Sequence, residues 1–254
     1  MIAERVERRV LGAIEFVDAW TRARVLGPLA LDAPRLRLTR NASSLYVIRD
    51  AEGLSGYTEA FEKPPAVAAG DYSLRVSDPQ RRYVARTVRI TLPRADAPLA
   101  DPASFLQPLS VELYPSMARN AEPAWPVLRA FIFVTDAGRR VGVANALLRL
   151  TPAPDGLAPT LALTDANGEG FLAVPGAPPV FSGTPPTHLF AATLLVALDA
   201  QFARRGDVAS LPVPDPDRIL DRIAASDASV QQLTLPVAQL AAGATQRVEL
   251  EVTL

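Results

Sequence analysis

The chain is 254 residues long, carries 26 basic against 27 acidic side chains and has no cysteine. That near-neutral balance excludes the basic excess of a nucleic-acid binder, and the missing thiols exclude disulfides, thiolate nucleophiles and sulfur-ligated zinc. With 49% apolar residues it can fill a sizeable core, and its length suits two domains.

The N-terminus, Met1-Ile2-Ala3-Glu4-Arg5-Val6-Glu7-Arg8-Arg9, puts charges where a signal peptide has its apolar centre. No run nears the ~18 apolar residues of a membrane span. If translation begins at Met1, these features predict a protein with no membrane span that is cytoplasmic at synthesis and either stays there or leaves by a non-standard route, as part of a released or assembled particle. Short apolar runs then follow at Ala13–Val17, Ser44–Ile48, Tyr72–Val76, Tyr83–Leu92 and Arg129–Val134, separated by many of the 24 prolines. Proline interrupts helices and is tolerated at strand ends and turns. In Arg86–Leu92, Val88, Ile90 and Leu92 share one face while Thr87, Arg89 and Thr91 share the other. That is the period of a half-buried strand. The terminal Gln246–Leu254 alternates in the same way. It is expected to close a sheet or to lend its edge to a neighbour.

An internal repeat strengthens the strand reading. Ala13–Asp18 is echoed by Ala130–Asp136, Asn41–Ile48 by Asn167–Val174, and Val76–Gln80 by Ala197–Gln201, each about 120 residues on. The repeat predicts domains at 1–95 and 124–254, joined by a Pro- and Ala-rich linker, 96–123, in which Leu109–Leu113 adds a strand. Two stretches carry helix signals. Thr187–Arg205 has a capping threonine, an Ala/Leu-rich body and Gly206 as a stop, but the repeat equates its middle with the strand Tyr72–Val76 and predicts strand. Pro216–Ala225 is the better helix, with Asp215 at the N-cap and Pro216 in the first position.

Phe133–Val141, Ala146–Leu150 and Leu163–Phe171 resemble a carboxypeptidase regulatory-like (transthyretin-like) domain. The matching features are an Asp–Gly turn between two strands, then a Thr-Asp turn with glycine leading to an aromatic-bearing strand. The likeness covers about 45 residues of the second half. It implies a Greek-key sandwich of about seven strands that serves as scaffold, spacer or binding module, and it brings no catalytic residues. The expected fold class is therefore all-β: two tandem Greek-key β-sandwich domains of Ig-like or transthyretin-like kind, with at most one or two short helices.

Candidate sites are few, and none is assigned as catalytic, cofactor-binding or metal-binding. Asp165, Asn167 and Glu169 alternate as calcium ligands do, but the twelfth position of such a loop is Gly176 instead of glutamate. A turn with Asn167-Gly168 at its corner is the simpler reading. His188, the single histidine, follows two prolines, and no nucleophile elbow accompanies it. Arg81-Arg82-Tyr83 and Arg204-Arg205 are expected at solvated hairpin tips, where contact with an acidic partner is the sharper alternative. Trp20 and Trp125, near turns, read as staples; a carbohydrate-binding module would use such residues as platforms. The expected role is a non-catalytic structural or adaptor subunit with protein partners in a larger assembly. Val111–Ser116, running into Pro126–Arg129, resembles linkers of phage-tail-like contractile injection particles. The alternative is a ligand- or carbohydrate-binding sandwich module.

Overall fold

The computed structural model describes residues 9–60, 62–153, 156–177 and 189–254. Among the described residues strand accounts for 47% and helix for 6%, so the all-β class read from the alternating segments is the class observed. Two compact units divide the chain. The first holds the described residues up to Val17, with Ala23–Val76 and Thr87–Glu112; the second holds Asp18–Arg22, Ser77–Arg86 and Leu113–Leu254.

The first unit runs β1 (Gly12–Asp18), β2 (Ala30–Asp32), β3 (Leu36–Arg40), β4 (Tyr46–Ala51), a single-turn α1 (Ser55–Glu59), β5 (Gly70–Ser77), β6 (Arg86–Leu92) and β7 (Leu109–Leu113). These form two sheets, ordered β3-β4-β1-β7 and β2-β5-β6. Tyr72, Leu74 and Val76 of β5 are buried, as are Val88, Ile90 and Leu92 of β6, while the residues between them face out. Each such side chain contributes roughly 1.5–3 kcal/mol when fully buried. Within the stretch expected as linker, Leu109–Leu113 is a strand beside β1.

The second unit runs β8 (Val127–Asp136), β9 (Arg139–Ala144), β10 (Leu147–Pro152), β11 (Thr160–Leu163), β12 (Glu169–Ala173), β13 (Leu189–Asp199), β14 (Arg204–Arg205), α2 (Pro216–Ala224), β15 (Val230–Ala241) and β16 (Thr245–Glu251). One sheet is ordered β11-β10-β13-β15 and the other β12-β8-β9-β14, with β16 alongside β8. Leu128, Ala130 and Ile132 from the second sheet meet Leu148, Leu150, Leu194 and Val196 from the first in one core, which makes this unit a sandwich. The β8–β9 hairpin turns at Ala137 and Gly138, both at positive φ, the geometry that matches the right-handed twist of paired strands.

Leu189–Asp199 is strand despite its Ala/Leu-rich composition. It pairs with β10 on one side and β15 on the other, and Leu194, Val196 and Leu198 fill the core. Two ladders and a buried face outweigh a helix preference of a few tenths of a kcal/mol per residue. Gly206 does not stop a helix. Its N–H bonds to the Gly142 carbonyl at 2.7 Å, and a Cβ there would lie 1.6 Å from the Ala166 oxygen. Only glycine allows that approach.

The repeat has a structural counterpart. β1 pairs antiparallel with β4, and β8 pairs antiparallel with β12, so the strands that carry the first two anchors are neighbours in each unit. The third anchor places Asp78 just after β5 and Asp199 at the end of β13. Each aspartate accepts from the backbone N–H two residues on, Gln80 at 3.0 Å and Gln201 at 2.7 Å. Each unit also places its last strand beside its first, β7 beside β1 and β16 beside β8.

Candidate functional site

The Asp165 loop is a tight turn. Asp165 Oδ1 accepts from the N–H groups of Asn167 at 2.8 Å and Glu169 at 3.1 Å, and Gly168 supplies the positive φ. Among the described residues no cluster of three or more metal-ligating side chains occurs. His188 and Thr187 lie outside the described residues. Arg82 folds back onto Asp78 at 2.9 Å instead of pointing to solvent. Burial pushes Asp78 up, but the Arg82 side chain and the backbone N–H groups of Gln80 and Arg82 outweigh it and hold the carboxyl below its ordinary value. Tyr83 is buried. Arg204-Arg205 is not a hairpin tip, because it forms the short strand β14 against Ala144 and Val143 of β9. Arg205 is held by Asp136 at 2.7 Å and Asp207 at 2.8 Å.

The Tyr83 hydroxyl leads to a cluster that the sequence did not reveal. Three segments of the second unit converge on Asp18, which is 2% exposed. Its Oδ1 accepts from the N–H groups of Trp20 and Thr21 at 3.0 and 2.9 Å. Its Oδ2 accepts from Tyr83 Oη at 2.9 Å and pairs with Arg119 Nη2 at 2.7 Å. Arg119 also donates to Tyr83 Oη at 3.2 Å. Burial, then the Asp18 charge and hydrogen bond, drive the Tyr83 hydroxyl far above its ordinary value. A buried carboxylate that accepts this many hydrogen bonds is satisfied where it stands. The one sequence signal was a difference between the repeats, Asp18-Ala19-Trp20 where the second copy has Asp136-Ala137-Gly138.

Trp20 connects this cluster to the outer face of the β12-β8-β16 sheet. It is 5% exposed and meets Phe171 edge-on at 5.1 Å and Trp125 at 6.2 Å. Trp20 is therefore a staple, whereas Trp125 is only half-buried and borders a recess of about 550 Å³. The recess is floored by Phe171 and edged by Arg119, Asn120, Glu122, Arg129 and Thr245. The Arg129 guanidinium lies 5.5 Å over the Phe171 ring, within cation–π range. Trp20 Nε1 and Arg119 Nε are buried without an acceptor among the described residues.

No family model matches the sequence, and no curated protein matches it. Solved structures that are weakly similar include two bacterial proteins. One is the Bacillus anthracis TIE protein, 10% identical with a TM-score of 0.25 over 95% of this chain and 34% of that one. The other is a candidate cell adhesion protein from Bacteroides fragilis, 10% identical with a TM-score of 0.26 over 98% of this chain and 94% of that one. The chain spans about a third of the length of the B. anthracis protein. Likeness at these TM-scores carries no argument about role.

Proposed function

We propose that the chain is a non-catalytic structural or adaptor subunit that works through protein contacts in a larger assembly. The observation that supports this reading is how the second unit spends its buried charge. Asp18, Asp78 and Asp199 each tie a turn through backbone N–H groups and each hold an arginine, Arg119, Arg82 and Arg222 respectively. Networks in which each buried carboxylate has its backbone donors and its cation stiffen a frame. A general acid or base, by contrast, needs a proton within reach of a substrate. The likeness of Phe133–Phe171 to carboxypeptidase regulatory-like domains fits a scaffold. The likeness of Val111–Ser116 to linkers of tail-like contractile particles names one kind of assembly. Loops and the edge strand β16, where backbone donors and acceptors remain to be paired, are the expected contact surfaces.

Capture from native lysate with the tagged full chain tests this reading. A reproducible, stoichiometric set of partner subunits supports it. Recovery of the chain alone, as a single monodisperse species, overturns it.

A further inference from the structure

Arg129 occupies the middle of a rung on the outer face of the second unit. In register, β12 places Phe171 on one side of it and β16 places Arg247 on the other. Two arginines directly across neighbouring strands repel, and little nearby relieves them. Glu249 is held by Arg140 at 2.7 Å and reaches Arg247 only at 3.5 Å. Glu169 shares a small recess with Arg129 and Arg247, yet no ion pair joins it to either among the described residues. The Arg129 guanidinium carbon lies 5.5 Å from the centre of the Phe171 ring, a contact that does not use its N–H groups as hydrogen-bond donors. A guanidinium so fixed suits bidentate engagement of a carboxylate.

Arg129 and Phe171 of this rung line the recess beside Trp125, while Arg247 lines the small recess next to it. The volume of the Trp125 recess, about 550 Å³, falls in the range of small-ligand sites. Half-buried Trp125 offers a flat apolar surface backed by Trp20 and Phe171. Asn120, Glu122 and Thr245 at the rim present both donors and acceptors, as ring hydroxyls require. From this juxtaposition we infer that the recess binds an acidic saccharide: a uronic-acid ring stacks on Trp125 while its carboxylate engages Arg129. This ligand site is independent of the assembly reading, so a chain that captures partners but binds no acidic saccharide would overturn the site alone.

The chain contains two tryptophans, both in this cluster, so emission from the full-length protein reports directly on the recess. Titration with trigalacturonate or a glucuronate oligomer is expected to change that emission saturably, and isothermal calorimetry is expected to give the same affinity. A neutral galactose oligomer should bind at least about tenfold more weakly, and Arg129→Ala should remove that preference. Trp125→Ala should abolish binding, and Arg129→Lys should retain the charge but only part of the affinity. Thermal melts of each variant confirm folding. The assignment is overturned if neither acidic oligomer binds, if the neutral one binds equally well, or if oligoglutamate binds and the saccharides do not. It is also overturned if folded Trp125→Ala and Arg129→Ala bind as the parent does.

Discussion

Arg119 reaches Asp18 across a hundred residues of chain and meets its Oδ2 at 2.7 Å, beside the Tyr83 hydroxyl that donates to the same oxygen. The Asp18 side chain is 3% exposed and that of Arg119 23%, so removing the acid leaves a guanidinium, a phenol and two backbone N–H groups without their acceptor. Breaking a buried pair of this kind costs about 3–5 kcal/mol. Asp18→Ala should therefore lower the melting temperature by roughly 6–20 °C, at about 2–4 °C per kcal/mol for a protein of this size. The exposed pair Arg140–Glu249 is the control, since Arg140→Ala should cost less than about 1 kcal/mol. Equal effects from the two substitutions would show that Asp18 is not a staple.

Stability should fall in alkali because of buried phenols. Burial pushes the Tyr114 hydroxyl up to about 12, against the opposing pull of Arg86, whose guanidinium sits 5.6 Å over the ring. In the unfolded chain the same group titrates near 10. The folded state holds the proton more tightly, so its contribution is complete below about pH 10 and lost as the pH rises toward 12, roughly 3 kcal/mol in all. Tyr83 shifts in the same direction and steepens the loss. Urea midpoints measured from about pH 8 to pH 12 should fall steeply for the parent and less for Tyr114→Phe. Parallel curves would rule out Tyr114 as a source.

What the sequence made legible was local. The alternation of Val88, Ile90 and Leu92 needs only neighbours to be read, and so does the Asp215-Pro216 start of α2, which the structure reproduces. The repeat went further, because two copies of one pattern outvote a local helix preference at Leu189–Asp199. The Asp18 cluster was hidden because its members come from three distant segments, and no one-dimensional period links Asp18, Tyr83 and Arg119. The tryptophans were ambiguous for the same reason. Both lie near turns, and only packing shows that Trp20 is sealed while Trp125 keeps an open flank.

Helix α2 is expected to depend more on its anchor than on its cap. Asp215 caps it through Arg218 N at 3.4 Å, and losing such a cap costs about 1 kcal/mol. Arg222, in the last turn, donates to both oxygens of Asp199 at 2.8 and 2.6 Å, and the Asp199 side chain is fully buried. Arg222→Ala leaves that carboxylate with the Gln201 N–H and no cation, at a cost of about 3 kcal/mol or more. Urea denaturation should show Arg222→Ala well below Asp215→Ala in midpoint. The reverse order would mean that the helix is held by its own termini.

The terminal strand should prove to be part of the fold. β16 runs parallel to β8 from Thr245 against Val127 to Glu251 against Phe133. Just beyond it, Val252 is buried in the core and its N–H bonds to the Phe133 carbonyl at 2.8 Å. Deleting Glu251–Leu254 removes one buried valine, worth about 2 kcal/mol, and leaves the Phe133 carbonyl short of a donor, worth about 1 kcal/mol more. The truncated chain is expected to fold but to melt earlier, by roughly 6–12 °C. Co-purification separates this closing role from a binding one. β8 takes one edge of β16, and no strand among the described residues takes the other, so a partner adding there would use donors and acceptors that the fold leaves unpaired. A truncated protein that melts with the parent but loses its partners would assign the strand to binding. One that melts early and keeps its partners would assign it to closure of the sheet.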